Sequence, residues 1–306
     1  MTTPIPTTAP TPADVIGMRR SKPLPVLRTV YAVVIVVAVL AVLRSLAGNE
    51  ALDWPTVREY FFDPAVMEGL RRTLVITVLA IVIAIVLGVV VANMRLSKNP
   101  VLRGSSWTYV WLFRSIPLLV LLVLAYNLSL VYPEITISIP FGPELFSTST
   151  QDLVSPMVAA VAAFGLQQAA YTSEVLRASI QSVPVGQREA AAALGMSHAR
   201  TMWRIVLPQA MRVAIPPVAN ETINLLKATS LVAFISVPDL LYSVQQIYSS
   251  TFQVVPLLLV ATLWYMVIVS VLSGLQYLIE RRLRRAPGRR TARPTAVAEL
   301  ADKELS

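Results

Sequence analysis

Long uncharged apolar runs alternate with short polar segments along this chain. The clearest run covers residues 73–94, between Arg71 and Arg72 on one side and Arg95 on the other. A helix needs about 20 apolar residues to cross the hydrocarbon core of a membrane. Because a helix also satisfies its backbone hydrogen bonds internally, the pattern predicts spanning helices rather than strands.

Six segments predict spanning helices, so we expect an all-α integral membrane protein with about six transmembrane helices. The first is short, and Arg28 and Arg44 at its ends would have to reach the membrane interfaces. The third contains Arg114 and Pro117 and is predicted as one helix. The six segments are residues 29–43, 73–94, 107–132, 154–173, 214–237 and 255–279.

The connecting segments are polar. Residues 46–70 combine acidic and aromatic side chains, which is typical of an exposed loop at the membrane interface. Residues 1–25 are rich in Pro and Thr and predict a disordered tail. A signal peptide is the alternative, but the first apolar run has no clear small-residue cleavage site, which favours an uncleaved helix.

Composition supports a membrane protein. With 55% hydrophobic and 14% charged residues and a mean hydropathy of +0.64, the chain is too apolar for an ordinary soluble domain. It has no Cys and one His, His198, so no thiolate site or His cluster is expected, and we predict no catalytic residue and no metal site. The net charge of +9 does not indicate nucleic-acid binding, because the Arg residues flank apolar runs.

Basic residues predict the orientation, since Lys and Arg are retained on the cytoplasmic side. With six spans, the basic residues of the N-terminal tail, of residues 95–106, of residues 174–213 and of the C-terminal tail all fall on one side. The opposite side holds Arg44, Arg58, Arg71 and Arg72 in its first loop and no basic residue in its two later loops. Both termini and the loop 174–213 are therefore predicted to be cytoplasmic.

This loop contains a Gly-interrupted amphipathic segment, EAAAALGMSHARTMWRIVLP. Pro184 is expected at the first position of a short helix that Gly195 ends in a left-handed cap. Ser197 is expected to cap a second helix that Pro208 ends. An ordinary interfacial amphipathic helix is the alternative. Seven positions follow the pattern EAA, three residues, Gly, nine residues, I-x-L-P, namely Glu189, Ala190, Ala191, Gly195, Ile205, Leu207 and Pro208.

That pattern resembles the cytoplasmic coupling loop, or EAA loop, of binding-protein-dependent ABC importer permeases. Three stretches also resemble polar amino-acid permeases of the histidine, glutamine and glutamate type: FRSIPLLVLL, AYTSEVLRASIQSVPVGQREAA and LPQAMRVAIPPVANETINLLKATSL. The resemblance covers about residues 67–280. Five residues depart from the family's usual ones: Ser115, Ile116, Ser173, Ala178 and Ala228.

The resemblance implies an ABC transmembrane type-1 (type I importer) fold with a five-helix core, at residues 69–280, plus one N-terminal helix within residues 26–68. It implies ATP-driven import of polar amino acids across the cell membrane of a bacterium. The implied partners are ATP-binding subunits, a second permease subunit in a homo- or heterodimer, and an extracytoplasmic solute-binding protein. ATP and Mg would be bound by the partner, because this chain has no G-x-x-x-x-G-K-[ST] loop, and no cofactor is expected in the chain itself.

Two polar stripes interrupt the apolar spans. Gln167, Tyr171 and Glu174 share one helix face, as do Asn220, Asn224 and Lys227, which Ser230 extends. Ionisable groups cost at least ~2.5 kcal/mol near the membrane centre and usually face a bundle interior or cavity. The candidates for the substrate pathway are Arg114, Gln167, Tyr171, Asn220, Glu221, Asn224, Lys227, Thr229 and Ser230.

Other roles stay open for these residues. Gln167, Asn220 and Thr229 are equally suited to forming hydrogen bonds between helices. Arg114 is also suited to a gate or to helix packing, and Glu174 and Arg177 are suited to bracing the loop.

Other functions stay open for the chain. It could be an ABC importer permease for another small solute. A self-sufficient secondary transporter is less favoured, because the later half does not repeat residues 73–132. A membrane-anchored interaction protein would leave the polar stripes unexplained.

Overall fold

The computed structural model describes residues 25–139 and 144–285, which fall into two compact units, one ending at Asp53 and one beginning at Trp54. Residues 1–24 of the predicted disordered tail and residues 286–306 of the C-terminal tail lie outside the described residues. In the first unit, helix α1 (Pro25–Ala47) is followed by a 3-10 turn, Glu50–Leu52. Within this unit the side chains of α1 from Arg28 onward are exposed.

The second unit contains the other helices and one hairpin. In chain order they are α2 (Trp54–Tyr60), α3 (Pro64–Leu96), α4 (Pro100–Ser115), α5 (Leu118–Tyr126), α6 (Leu128–Val131), β1 (Glu134–Ser138), β2 (Glu144–Ser149), α7 (Thr150–Leu153), α8 (Pro156–Gln181), α9 (Val185–Ala193), α10 (His198–Thr201), a π-helical turn (Met202–Val206), α11 (Leu207–Ala228), a 3-10 segment (Thr229–Ile235), α12 (Leu240–Thr251) and α13 (Val254–Arg285).

Three long helices begin at a polar residue followed by proline. Asp63, Asn99 and Ser155 are the N-caps of α3, α4 and α8, and each side chain accepts a hydrogen bond from a backbone N–H of the first turn. The proline that follows fits the first helical position, because its missing N–H would have no intrahelical partner there. As a result α3 begins nine residues before the predicted start at residue 73.

Several described helices are long and apolar enough to span a membrane. By length and composition they are residues 28–47, 64–96 and 254–283, and the bent pairs 100–115 with 118–126 and 198–235 with 240–251 raise the number from three to five. The predicted six included α8, which is 26 residues long but is not among these spans. It carries Gln167 and Gln168, both buried, which lower its apolar character.

Three expectations about local structure were wrong. Residues 107–132 do not form one helix, because α4 and α5 are bent by 100° at Ile116–Pro117; proline lacks an N–H and forces the preceding residue into an extended conformation. Residues 46–70 are not a loop but contain α2 and the start of α3. The polar segment after residue 132, expected to be a loop, forms an antiparallel hairpin in which Glu134 pairs with Ser149, whereas the described residues as a whole are mostly helical, as expected of an all-α membrane protein.

The two largest apolar clusters join most of the long helices of the second unit. The larger joins α3, α5, α8 and α11 through fully buried side chains that include Ile76, Leu122 and Phe164. The other joins α2, α3, α12 and α13 and includes Val57 and Leu257. α8 therefore packs against both α3 and α11 in the core of the bundle.

Candidate functional site

The bend predicted at Gly195 is present in the structure. Gly195 has a φ of +72°, which L-residues with a side chain rarely adopt. Its N–H donates to the carbonyl of Ala192 at 2.9 Å, and the N–H of Met196 donates to the carbonyl of Ala191 at 3.0 Å. These two bonds form a Schellman motif, so the glycine ends α9 in the left-handed cap expected from the sequence.

The flanking residues follow the prediction in part. Ser197 is the N-cap of α10, and its hydroxyl accepts from the N–H of Arg200 at 3.4 Å. Pro184 is the N-cap of α9 rather than its first helical residue. Pro208 does not end the second helix, because it lies in the first turn of α11, directly after the π-helical turn. The helical path nevertheless continues through the proline into the bundle.

One side of this loop is anchored and the other is exposed. Val183, Val206 and Ala210 are buried together, and the Nη2 of Arg188 donates to the carbonyl of Ile180 at 2.7 Å. By contrast, Leu194 is 82% exposed and Trp203 is 73% exposed. Large apolar side chains exposed on a fixed framework are typical of a protein-binding surface.

The seven motif residues divide between these two sides. Ala191 is buried at 1% exposure, whereas Glu189, Ala190, Gly195 and Pro208 are exposed, and Ile205 and Leu207 are intermediate. The small Ala190 leaves the backbone of α9 open to a close approach.

Two of the predicted pathway residues meet at a small, partly open cavity between α8 and α11. Gln167 of α8 and Asn224 of α11 line a volume of about 150 Å³, together with Gln168. The Nε2 of Gln167 donates to the carbonyl of Ile116 at 2.7 Å, which is the carbonyl at the break between α4 and α5. The Nε2 of Gln168 donates to Oε2 of Glu221 at 3.4 Å. Gln168 was missed by sequence reasoning, although the Gln doublet in an apolar helix was a usable signal.

A larger and more polar cavity contains two other predicted residues. It measures about 350 Å³, and the guanidinium carbon of Arg114 lies 5.1 Å from the centroid of the Tyr171 ring, within cation–π range. Trp107 and Trp111 form an aromatic wall, with ring centroids 6.3 Å apart. The full lining consists of Arg95, Trp107, Val110, Trp111, Arg114, Ser115, Tyr171 and Glu174. Sequence reasoning did not identify Arg95 or the two tryptophans.

The remaining candidates lie elsewhere on α11 and the 3-10 segment after it. Asn220 and Lys227 are exposed along α11, as is Asn224. Thr229 is fully buried, and its hydroxyl donates to the carbonyl of Leu226 at 2.7 Å. The Ser230 hydroxyl donates in the same way to the carbonyl of Lys227 at 2.9 Å.

An ion-pair cluster lies at the edge of the larger cavity. Nε of Arg95 is 3.1 Å from Oε1 of Glu174, and Nη2 of Arg177 is 2.7 Å from Oε2 of the same carboxylate. Arg177 also donates to Oε1 of Gln181 at 2.7 Å. This cluster joins the last turn of α3 to the part of α8 that precedes the loop. Among residues 25–139 and 144–285, no group of three or more His, Cys, Asp or Glu side chains could hold a metal ion.

Residues 84–285 match the model of a family described as binding-protein-dependent transport system inner membrane component. The arginine transport system permease protein ArgU of Corynebacterium glutamicum is 42% identical over 89% of this chain and 85% of its own length. The L-cystine transport system permease protein TcyB of Bacillus subtilis is 36% identical over 79% of this chain and 96% of its own length.

Solved structures agree with this assignment. The crystal structure of an amino acid ABC transporter with histidines matches with a TM-score of 0.62 and 32% identity, over 72% of this chain and 95% of that chain. The MetNI methionine ABC transporter matches with a TM-score of 0.58 at 17% identity, over 72% of this chain and 96% of that chain, which supports the fold alone. The chain therefore belongs to the family of binding-protein-dependent transport system inner membrane components, which are multi-pass membrane permeases.

Proposed function

We propose that this chain is the permease subunit of an ATP-driven ABC importer and carries polar amino acids across a bacterial cell membrane. The observation that carries the proposal is the anchored bend at Gly195, which presents Leu194 and Trp203 at high exposure. The names of the relatives, which are arginine and L-cystine transport system permeases, support amino acids as the cargo over other small solutes.

The coupling element in this proposal is the predicted loop 174–213, of which residues 182–206 lie between α8 and α11 in the structure. Glu189, Ala190 and Gly195 would meet a separate ATP-binding subunit, and Ile205, Leu207 and Pro208 would connect the loop to α11. ATP and Mg would be bound by that subunit, so this chain supplies no catalytic residue. With α8 as a sixth span, both termini would lie on the same cytoplasmic side as the loop, as the distribution of Arg and Lys supports.

The two cavities are the proposed substrate pathway. Arg114, Tyr171, Gln167 and Asn224 line them, and Glu221 is linked to the smaller one through Gln168. Cargo would arrive from an extracytoplasmic solute-binding protein, and a second permease subunit, identical or paralogous, would complete the pathway.

Reconstitution tests this function directly. The chain, its ATP-binding subunit and its binding protein are placed in liposomes, and the uptake of a panel of labelled amino acids is measured with and without ATP. Uptake that requires ATP and all three components is expected. Amino-acid flux driven by an ion gradient in liposomes that contain only this chain would instead identify a secondary transporter and refute the proposal.

The coupling surface has its own test. Trp203→Ala is expected to weaken binding of the ATP-binding subunit by about 2 kcal/mol, because tryptophans at the centre of an interface contribute strongly. Trp54→Ala is the matched control, since Trp54 is also exposed but lies on α2, on the side predicted to be opposite the loop. Equal affinities for the two variants, measured with the permease in nanodiscs, would rule out the loop as the docking surface.

A further inference from the structure

A part-buried ion-pair cluster joins two helices next to the coupling loop. We call it the Glu174 triad: Arg95 at the end of α3, and Glu174 and Arg177 on α8. The side chains of Arg95 and Glu174 are each 18% exposed, and that of Arg177 is 27% exposed. Ion pairs that are shielded from solvent are screened less than surface pairs. The electrostatic attraction within the triad is therefore weakened less by salt than that of an ion pair on the surface.

α3 and α8 also approach each other closely along their length. A Cβ at Gly88 of α3 would lie 3.0 Å from the Cβ of Thr172, and a Cβ at Gly165 of α8 would lie 2.8 Å from Cγ2 of Ile83. Interfaces packed this closely do not deform continuously. The two helices therefore have little room to slide past each other and are suited to moving as one body.

Glu174 lies close to the point where α8 leads into the coupling loop. It lies two turns before the end of α8, and α9 of the coupling loop begins at Val185, only a few residues beyond that end. A displacement of the loop acts first on the end of α8. Through the carboxylate of Glu174, the same displacement reaches Arg95 and hence α3, which the loop does not otherwise join along the chain.

We propose that Glu174 is a positioning residue that transmits the displacement of the coupling loop to α3, so that α3 and α8 move together during transport. This inference rests on the proposed function. The triad stays closed through the cycle and acts as a strut between the helices, not as a gate that opens.

The test compares two glutamates that each pair with two arginines, Glu174 across two helices and Glu68 within one helix. Glu68 also binds two arginines, Arg71 and Arg72, but all three lie within α3. Glu174→Gln removes the charge and retains the size, and it is expected to lower uptake per ATP hydrolysed by about fivefold or more, the usual lower range of coupling between sites. ATP hydrolysis itself continues. Glu68→Gln, the matched control, is expected to retain the wild-type ratio.

The ratio of amino-acid uptake to ATP hydrolysis distinguishes a loss of coupling from a loss of stability. A loss of thermal stability in Glu174→Gln with an unchanged ratio of uptake to hydrolysis would overturn the inference. Arg95→Gln should show the same loss as Glu174→Gln, and the double variant no further loss, because both remove one link. If the wild-type complex shows no ATP-dependent uptake, the proposed function fails, and that result is distinct from a normal ratio in Glu174→Gln.

Cross-linking distinguishes a strut from a gate. The chain has no Cys, so Arg95→Cys with Glu174→Cys introduces a single thiol pair, to be joined by a short bis-maleimide in a complex whose other subunits lack Cys. Without the reagent the double variant should transport poorly for each ATP hydrolysed. With the reagent the ratio should recover toward the wild-type value, and abolished uptake after cross-linking would show that the link must open and would overturn the proposal.

Discussion

The bend of the coupling loop depends on one residue, which makes Gly195→Ala an informative perturbation. No atom lies within 4 Å of a Cβ built on Gly195, so the substitution causes no clash and adds no packing. Its φ of +72° remains unfavourable for alanine, by about 1–2 kcal/mol. The free loop can relax to another conformation, whereas the docked loop must keep the bend. We therefore expect the Kd for the ATP-binding subunit to rise about 5- to 30-fold.

The measurement is the binding of the purified ATP-binding subunit to permease in nanodiscs. Gly186→Ala is the control, because Gly186 also has no atom within 4 Å of a built Cβ but lies in the first turn of α9, where alanine is favoured over glycine by about 0.5–1 kcal/mol. It should leave the Kd unchanged. Gly195→Asn should fall between wild type and Gly195→Ala, because asparagine adopts the left-handed conformation more readily. The reasoning is refuted if Gly195→Ala and Gly186→Ala bind equally well.

Three further variants test the packing of the bundle through the melting temperature of the purified permease. Gly69→Ala should destabilise it by about 1–3 kcal/mol, because the new Cβ would lie 2.5 Å from Oγ of Ser243 and 2.6 Å from the backbone oxygen of Asp239. Tyr109→Phe should cost about 1 kcal/mol, since it removes the 2.7 Å hydrogen bond from its hydroxyl to the carbonyl of Leu166, while changes at exposed Tyr residues should have no effect. Asp239→Ala should cost about 1–2 kcal/mol by removing the N-cap of α12, and an unchanged melting temperature would contradict the capping role.

Local rules predicted some features of this chain well. The left-handed conformation of Gly195 and the cap at Ser197 each depend on one residue and its neighbours, so the sequence was sufficient. Asp63, Asn99 and Ser155 carry the same kind of local signal, because a capping side chain followed by a proline defines the start of a helix at each. At Asp63 this signal starts α3 several residues before its apolar run, so the polar first turns of α3 are helical although their composition is typical of a loop.

Features that depend on tertiary structure could not be derived in this way. Pro117 and Pro208 have the same local chemistry, yet the first accompanies a bend of 100° and the second lies in a first turn without ending the helical path. The difference lies in what precedes each proline, an extended residue at Ile116 and a π-helical turn before Pro208. Helical periodicity does not reveal either one.

The polar stripes show why spacing alone left the pathway undecided. Gln167 and Tyr171 share a face of α8, but Gln167 donates to the carbonyl of Ile116, a backbone group at the break between α4 and α5. A buried carbonyl without a partner is costly, so this side chain has a structural role whether or not it also contacts cargo. Tyr171 instead faces the larger cavity with Arg114 above its ring.

The polar residues near the end of α11 also divide into those that bond to a backbone carbonyl and those that are exposed. The hydroxyls of Thr229 and Ser230 bond to carbonyls three residues earlier, which satisfies them within their own segment, whereas Asn224 and Lys227 are exposed. A polar group that is satisfied locally contributes less to binding cargo than one that is still open to a partner. The pathway is therefore expected to depend on Arg114, Asn224 and Lys227 more than on Thr229 and Ser230. Uptake kinetics of single substitutions in these two sets would separate them, and an equal loss in both would show that local hydrogen bonding does not decide which polar residues meet the substrate.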